Sequence, residues 1–371
     1  MLDRSKVARE LDGLMNDLFV DLSPQYERAL AVWRDIAHDE LFRLKVRAAD
    51  TVWALPSWHG RLDSAITIDS IQRPYTAIGV DGSQVYPDRH QGVSCFLINT
   101  GIALLRYGGT FERPVIFHGE PRVMSGDQTE CSISIDFVNA VRQEFEFQAG
   151  LDAQRFLTAT ESALIIFDGS LIFWHLDAKD VMLRTTFLPR YDALLQRYCQ
   201  EQIPMVSYIS GPKSRELSNL VRLKLADFDQ NAHEKYAVVD RVNDAALISG
   251  FLAPGQRTIL FANRAKVTME SAETVRTYFF YLHAGAEIGR VEIPAWIAQQ
   301  ESLVDWIAAV IYDQCKKGHG YPVALAEAHE QAVIKGPDRD FFFHLLQKKA
   351  IEGMHRCTPS TKSVRKRGAT V

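Results

Sequence analysis

Two carboxylates dominate the chemistry that this 371-residue chain offers. They lie in a repeated pattern, Ile78-Gly79-Val80-Asp81-Gly82-Ser83 and Ile165-Ile166-Phe167-Asp168-Gly169-Ser170. In each copy the apolar run reads as a buried strand. The Asp-Gly-Ser reads as that strand stopping in a turn. The repeat therefore puts a carboxylate at the end of each of two core strands. If the strands are neighbours, the two carboxylates can share a divalent metal. Oxygen ligands suit Mg²⁺ or Mn²⁺, and such an ion activates a bound water and stabilises charge building on phosphate oxygens. The plain alternative is a pair of ordinary aspartate turns, but two copies on strongly apolar strands favour the site.

A metal site wants a third acidic ligand. The helix expected before the second strand supplies Glu144 and Glu146. Residues two apart point about 200° apart around a helix, so only one of them can face the site; the pattern leaves the choice open, and a solvated helix face is the ordinary reading of either. A third element runs from Gly320-Tyr321-Pro322 to Ala328-His329. Pro322 suits the first position of a helix, and His329 falls about two turns in. Ala328 and Ala332 are small enough to let another surface approach closely. His329 can bind metal, orient water or protonate a leaving oxygen, and Tyr321 can hold a phosphate or a base. Against these stand a helix-surface histidine and, for Lys213 and Arg215 in Ser210-Gly211-Pro212-Lys213-Ser214-Arg215, ordinary surface charge. The position of Lys213 and Arg215, after a strand and at a helix start, favours phosphate contact. No GxxxxGK[ST] or GxGxxG motif occurs, and neither Asp-Gly-Ser copy makes a GxSxG nucleophile elbow.

These side chains need a scaffold. Strands are expected at Tyr75 to Val80, Val93 to Leu105 (as one or two), near Val115 to Phe117, at Leu164 to Phe167, Met205 to Ile209, Ala246 to Leu252 and Thr258 to Phe261. Phe279 to His283 and Gly289 to Ile293 should pair around Gly285. A polar loop is expected from Ser83 to His90 and a turn at Gly108-Gly109. Helices are expected over 134–159, capped by Asp127 or Ser134 and weakened late by Gly150, over 184–201, from the basic turn to about 225, over 298–317, and finally from Pro322. Strands mixed with helices imply an α/β layer fold. Only turns separate the strands between about 90 and 118, so part of the sheet should be antiparallel. Residues 1–50 carry two helical stripes, Leu11-Leu14-Leu18-Phe19 and Tyr26-Ala29-Leu30-Trp33-Ile36, and read as an N-terminal helical appendage. Residues 51–75, with Pro56 and Pro74, look like an approach to the core.

Composition narrows the class. Apolar residues at 47% and charged residues at 24% suit an ordinary soluble globular protein, and the length allows one large core or two modest ones. A net charge of −4 argues against a non-specific nucleic-acid coat and leaves room for a local basic groove. Cys95, Cys131, Cys199, Cys315 and Cys357 form no CxxC pair, which points to reduced thiols rather than a zinc site. The start of the chain lacks a signal-peptide apolar core. No run reaches the ~18 apolar residues of a membrane span. A cytoplasmic protein is the expectation.

Taken together, the motifs resemble the NurA family, DNA-end-processing nucleases that work with the HerA hexameric ATPase. The marks are Val80-Asp81-Gly82-Ser83-Gln84 with Tyr86-Pro87, a helix glutamate, Phe167-Asp168-Gly169-Ser170-Leu171, Tyr208-Ile209-Ser210 with the basic turn, Glu292-Ile293-Pro294, and Tyr321-Pro322 followed by Ala328-His329. Their order and spacing are specific together, and they run from about residue 75 to 345. The resemblance implies an RNase H-like core, with a mixed β-sheet flanked by helices, and a site using Mn²⁺ or Mg²⁺. It further implies a toroidal homodimer and 5′-to-3′ exonuclease activity with single-strand endonuclease action at double-strand breaks. It assigns Asp81, Asp168 and a helix glutamate to the metal, with Tyr321 and His329 beside them. Arg142-x-x-Phe145-Glu146-Phe147 resembles the family's apolar-Glu-aromatic stretch and favours Glu146, with Glu144 as the alternative. Lys213 and Arg215 would steady DNA without reading bases. The implied organisation is a helical region over 1–74, a nuclease domain over 75–348, and a disordered basic tail over 349–371 containing Lys362, Arg365, Lys366 and Arg367. The rival functions are an RNase H-like nuclease with another nucleic-acid substrate and a non-catalytic regulator of the ATPase.

Overall fold

A computed structural model describes residues 2–88, 95–109, 114–125, 133–177, 181–229 and 231–353. Its frame is one mixed sheet. One half consists of β3 (Tyr75–Val85), β4 (Cys95–Tyr107), β5 (Ile116–Ser125), β6 (Ala163–Asp168) and β7 (Met205–Ile209), with β1 and β2 preceding them at Ser57–Trp58 and Ile66–Thr67. These five strands lie in the order β5-β4-β3-β6-β7. β4 is antiparallel to both of its neighbours, while β3, β6 and β7 run parallel. That order and polarity are those of an RNase H-like sheet. Beyond β7 the sheet continues antiparallel through β11 (Ile288–Pro294), β10 (Thr277–His283) and β9 (Phe261–Ala262) to β1, while the short β8 (Gln256–Arg257) pairs with β2 and β10.

Burial follows from this layering. β3 and β6 are apolar on both sides because both sheet faces are covered. β5, at the edge, instead alternates between more and less covered residues. The 3.6-residue and 2-residue periods meet at helix Val323–Ala332, which crosses β3, β4 and β5. Here the strands present glycine. A Cβ on Gly79 would lie 2.0 Å from Ala324 O, and one on Gly101 2.3 Å from Ala328 O. The helix offers Ala324, Ala328 and Ala332 in return, all fully buried. This is the close approach expected from its small residues, and it brings helix backbone onto sheet backbone. The last helical carbonyls are capped from the sheet: Asn99 Nδ2 donates to Gln331 O at 2.9 Å and Ala332 O at 2.8 Å, and Ser83 Oγ donates to Ala332 O.

Several expected boundaries change. β3 does not stop at Val80 but runs to Val85, so Ser83 to Val85 are strand rather than loop; residues 89–94 lie outside the described set. Full pairing with β4 carries the strand through Asp-Gly-Ser. Ala246 to Leu252, expected as a strand, contains part of a helix, Asp244–Ile248, because Asn243 caps it by accepting from Ala246 N at 2.9 Å. The helix expected over 134–159 is Ile135–Asp152, capped by Ser134 through Phe137 N at 3.0 Å; Asp127 lies outside the described residues. Pro322 sits at the N-cap rather than the first turn, and a further helix, Gly336–Glu352, follows the one expected to be last. Residues 354–371, the end of the basic tail, lie outside the described set.

The N-terminal stripes have different fates. Helix Arg4–Leu18 leaves Leu11 and Leu14 exposed. Helix Ser23–Ile36 instead buries Ala29, Trp33 and Ile36 in a core shared with Leu217, Val221, Ile248, Phe279 and Tyr281. Phe280 and Leu282, alternating along β10, face the larger core on the other side.

Candidate functional site

The parallel register of β3 and β6 sets Val80 opposite Phe167. Asp81 and Asp168 therefore leave the same end of the sheet on adjacent strands. The two side chains sit differently. Asp81 is buried; its Oδ1 accepts from Gly82 N at 2.7 Å and its Oδ2 lies 2.7 Å from His329 Nδ1. Gly79 and Asp81 share a strand face, so the close seating of helix Val323–Ala332 on Gly79 is also what presses His329 onto Asp81. Asp168 is more open to solvent, yet its pKa is raised. Partial burial is the main cause and the charge of Asp81 the next; a hydrogen bond from Tyr321 and the Gly169 N–H oppose them. Tyr321 is itself raised, chiefly by burial and then by Asp168, so its hydroxyl keeps its proton and donates. Its ring packs edge-on against Tyr208, 5.8 Å between centroids.

The opposite face of β3 receives helix Ile135–Asp152. A Cβ on Gly82 would lie 2.4 Å from Glu146 Oε1, so only glycine lets this carboxylate reach the strand. Glu146 is buried and its pKa is raised to about 8. Burial is the chief cause; Arg142 works against it, and Asp81 and then Asp168 add to it. Arg142, one turn earlier, is 3.0 Å from Glu146 Oε1 and donates to Gly82 O at 3.0 Å. It lies off the hydrogen-bonding direction to the carboxylate, and buried Glu146 Oε1 has no hydrogen bond. Glu144 points elsewhere, to Arg190 at 3.6 Å, and burial raises its pKa. The helix thus turns Glu146, not Glu144, toward the two aspartates.

As they stand, no three His, Cys, Asp or Glu side chains among the described residues are grouped to hold an ion. Asp81 is engaged by His329, and Glu146 by Arg142. A divalent cation nevertheless fits this centre. The charges of Asp81 and Asp168 add to the cost of ionising Glu146, and that of Asp81 to the cost of ionising Asp168, while a buried carboxylate oxygen of Glu146 lacks a hydrogen bond; both features call for positive charge.

Lys213 and Arg215 are not in this cluster. They are exposed on the turn after β7, where Arg215 stands at the N-cap position of helix Glu216–Leu225 without a side-chain capping bond, and they line a pocket with Ser170 and Trp174. Ser170 belongs to a network that motif reading missed. Its Oγ donates to Glu292 Oε2 at 2.9 Å, and Leu171 N donates to the same oxygen at 2.7 Å. Arg290 Nε holds the other oxygen at 2.7 Å while its remaining nitrogens grip Glu216. Asp244 joins through Tyr281, whose hydroxyl donates to it at 2.8 Å. Besides Ser170 and Leu171 in the second Asp-Gly-Ser motif, Glu292 had a sequence signal, in Glu292-Ile293-Pro294; Arg290 and Asp244 had none, and Arg142 had none beyond its one-turn spacing from Glu146.

An RNase H-like sheet with acidic side chains converging at adjacent strand ends is the frame of a nuclease. A NurA domain model matches residues 75–334, and the chain belongs to the NurA family of nucleases. The chain resembles a NurA crystal structure at 10% identity, covering 93% of this chain and 98% of that one, with a TM-score of 0.34. A NurA structure with manganese matches at 8% identity, covering 88% and 94%, with a TM-score of 0.31. The catalytic domain of human endonuclease V matches at 14% identity, covering 87% and 97%, with a TM-score of 0.33. A search of curated protein sequences found no match. No helix among the described residues is long and apolar enough to cross a membrane.

Proposed function

We propose that the chain is a metal-dependent deoxyribonuclease centred on Asp81, Glu146 and Asp168, with Tyr321 and His329 beside them. The observation that carries this reading is the crowding of the three carboxylates around one sheet end, where Glu146 keeps its proton up to a pH of about 8. Asp81, Glu146 and Asp168, with His329 as a further donor, would hold Mn²⁺ or Mg²⁺, whose charge would offset that repulsion. When bound, such an ion acidifies the attacking water and stabilises negative charge on phosphate oxygens.

The chain's own residues do the rest. Asp81 orients the His329 ring, whose side chain is 61% exposed, and its other nitrogen either serves as that further donor or, when it does not ligate, takes a proton from water or gives one to the leaving oxygen. Tyr321, kept protonated, donates a hydrogen bond at the same rim. Lys213 and Arg215 hold the backbone of the strand being cut. The family resemblance supports 5′-to-3′ exonuclease and single-strand endonuclease action in resecting double-strand breaks, by a cytoplasmic homodimer working with a HerA-like ATPase.

End-labelled linear DNA with Mn²⁺ tests the reading, alone and with the ATPase. Asp81→Asn and Asp168→Asn should each slow cleavage roughly 10³-fold, the size of losing a preorganised electrostatic group. Label should be lost first from 5′ ends, and EDTA should abolish cleavage. Native-like cleavage by both variants would reject the site; faster RNA cleavage would reject the substrate.

A further inference from the structure

The rim beyond Asp168 has a feature that packing does not explain. Of the six tryptophans, Trp174 is the one that stands exposed, at 42%. Trp33, Trp58 and Trp296 are buried, and Trp53 and Trp306 are half-buried. Tryptophan brings the largest apolar area to a core, and leaving it in water forfeits that gain. Trp174 lines the pocket whose wall includes Ser170, Ile209, Pro212, Lys213 and Arg215. Lys213 and Arg215 are exposed there, and among the described residues neither side chain forms an ion pair. The two buried acids of the pocket, Glu216 and Glu292, share the Arg290 guanidinium; Glu292 also accepts from Ser170 Oγ and Leu171 N–H, and Glu216 from Asn263 Nδ2 at 2.7 Å, so both carboxylates are held in the wall, away from the exposed cations. The wall is also firm: Gln143 Nε2 donates to Ser170 O at 3.2 Å, and Ser170 Oγ accepts from Ile172 N at 2.9 Å.

An exposed indole beside two uncommitted cations has one natural complement, an unpaired base followed by its phosphate. We propose that Trp174, Lys213 and Arg215 form a single-stranded DNA subsite, with a base stacked on the indole and the adjoining phosphates on the two cations. The proposal rests on the nuclease reading above and goes beyond it by naming where an unpaired strand is gripped, with the indole four residues past the Asp168-Gly169-Ser170 turn and outside the carboxylate cluster. Stacking accepts any base, because every base has a π-face. A duplex covers those faces, so the subsite favours frayed or tailed ends.

Binding of fluorescein-labelled dT20 and of a blunt 20-base-pair duplex, measured by anisotropy in EDTA, separates this proposal from the cleavage reading. Trp174→Ala should weaken dT20 binding roughly 5- to 150-fold, the range of one base–aromatic stack, and change duplex binding far less. Trp174→Phe should recover most of the loss. Quenching of intrinsic fluorescence by dT20 should be present in the native protein and diminished in Trp174→Phe. Lys213→Gln with Arg215→Gln should reduce the slope of log affinity against log salt by about 1.4, for two single-strand phosphates. Unchanged dT20 affinity and slope in these variants would overturn the subsite while leaving the nuclease assignment intact. Equal losses on dT20 and duplex would also overturn it. Failure of the carboxylate variants to affect cleavage, with the Trp174 effect present, would overturn the catalytic centre instead.

Discussion

The same tripeptide is used twice in this molecule and folds two ways. At Asp81-Gly82-Ser83 the backbone stays in the sheet: Asp81, Gly82 and Ser83 pair with Gly101, Thr100 and Asn99, and the strand continues to Val85. At Asp168-Gly169-Ser170 the strand ends, Gly169 turns with φ +96, and Ser170 swings to Glu292. The difference is the neighbour. β4 flanks the first copy along its full length, whereas at the second copy pairing with β3 reaches only Phe167. One aspartate is consequently buried and fixed by a histidine, and the other is a more open carboxylate at the rim. An asymmetric pair of this kind gives one rigid anchor and one that faces substrate, which suits a site that must bind, cut and release.

The comparison can be broken by removing what holds each copy. The largest expected effect on stability is at the second. Arg290→Met leaves Glu216 and Glu292 buried without their cation and should cost about 3–5 kcal/mol, read from the urea midpoint; Arg142→Met, at the more open Glu146 pair, should cost less. If the two losses are equal, the buried network is not what sets the second turn.

Glu146, between the two copies, gives a pH signature. Its folded-state pKa is raised from the ordinary glutamate value of 4.5 to about 8, so the folded chain binds more protons than the unfolded one across that interval. Without divalent metal, stability should therefore fall as pH rises from about 4.5 to about 8. Glu146→Gln should flatten that fall, and Mn²⁺ should do the same in the native protein. Thermal denaturation across the interval checks the sign, and a rise in the native slope would refute it.

Smaller effects should separate the glycines. Gly82→Ala meets Glu146 Oε1 and Arg142 Cγ and should cost about 1–3 kcal/mol as overpacking, together with most of the cleavage rate. Gly169→Ala meets no atom within 4 Å and should cost about 1–2 kcal/mol through its left-handed backbone alone, with a milder loss of rate. The serines come last. Ser170→Ala strands part of Glu292 and should cost about 1 kcal/mol, while Ser83→Ala leaves Asn99 to cap the same helix end and should cost less. Urea denaturation orders all four.

The strand Met205–Ile209, the β10–β11 pair and the helix carrying His329 were legible because their apolar patterns and turn residues agree with the tertiary result. Two local patterns misled. The Asp-Gly-Ser at 81–83 has turn chemistry but lies in a fully paired strand, so long-range hydrogen bonding overrode it. Ala246 to Leu252 looks like a short buried strand, and a short apolar run alone does not distinguish strand from buried helix; the Asn243 cap decides it.

The sequence by itself determined which groups are available: two aspartates on apolar runs, one helix with two glutamates, and a small-faced helix bearing a histidine. It determined these because residue type and local period are written in the chain. Only the tertiary structure decided that β3 and β6 are neighbours in a register that aligns Asp81 with Asp168, that Gly79 and Gly101 seat His329 on one face, and that Gly82 admits Glu146, not Glu144, on the other. It alone brought Arg290 to Glu216, 74 residues away, and so to the second turn. Register, close approach and compensation of buried charge depend on residues far apart in sequence, and their energies exist only once the sheet has formed.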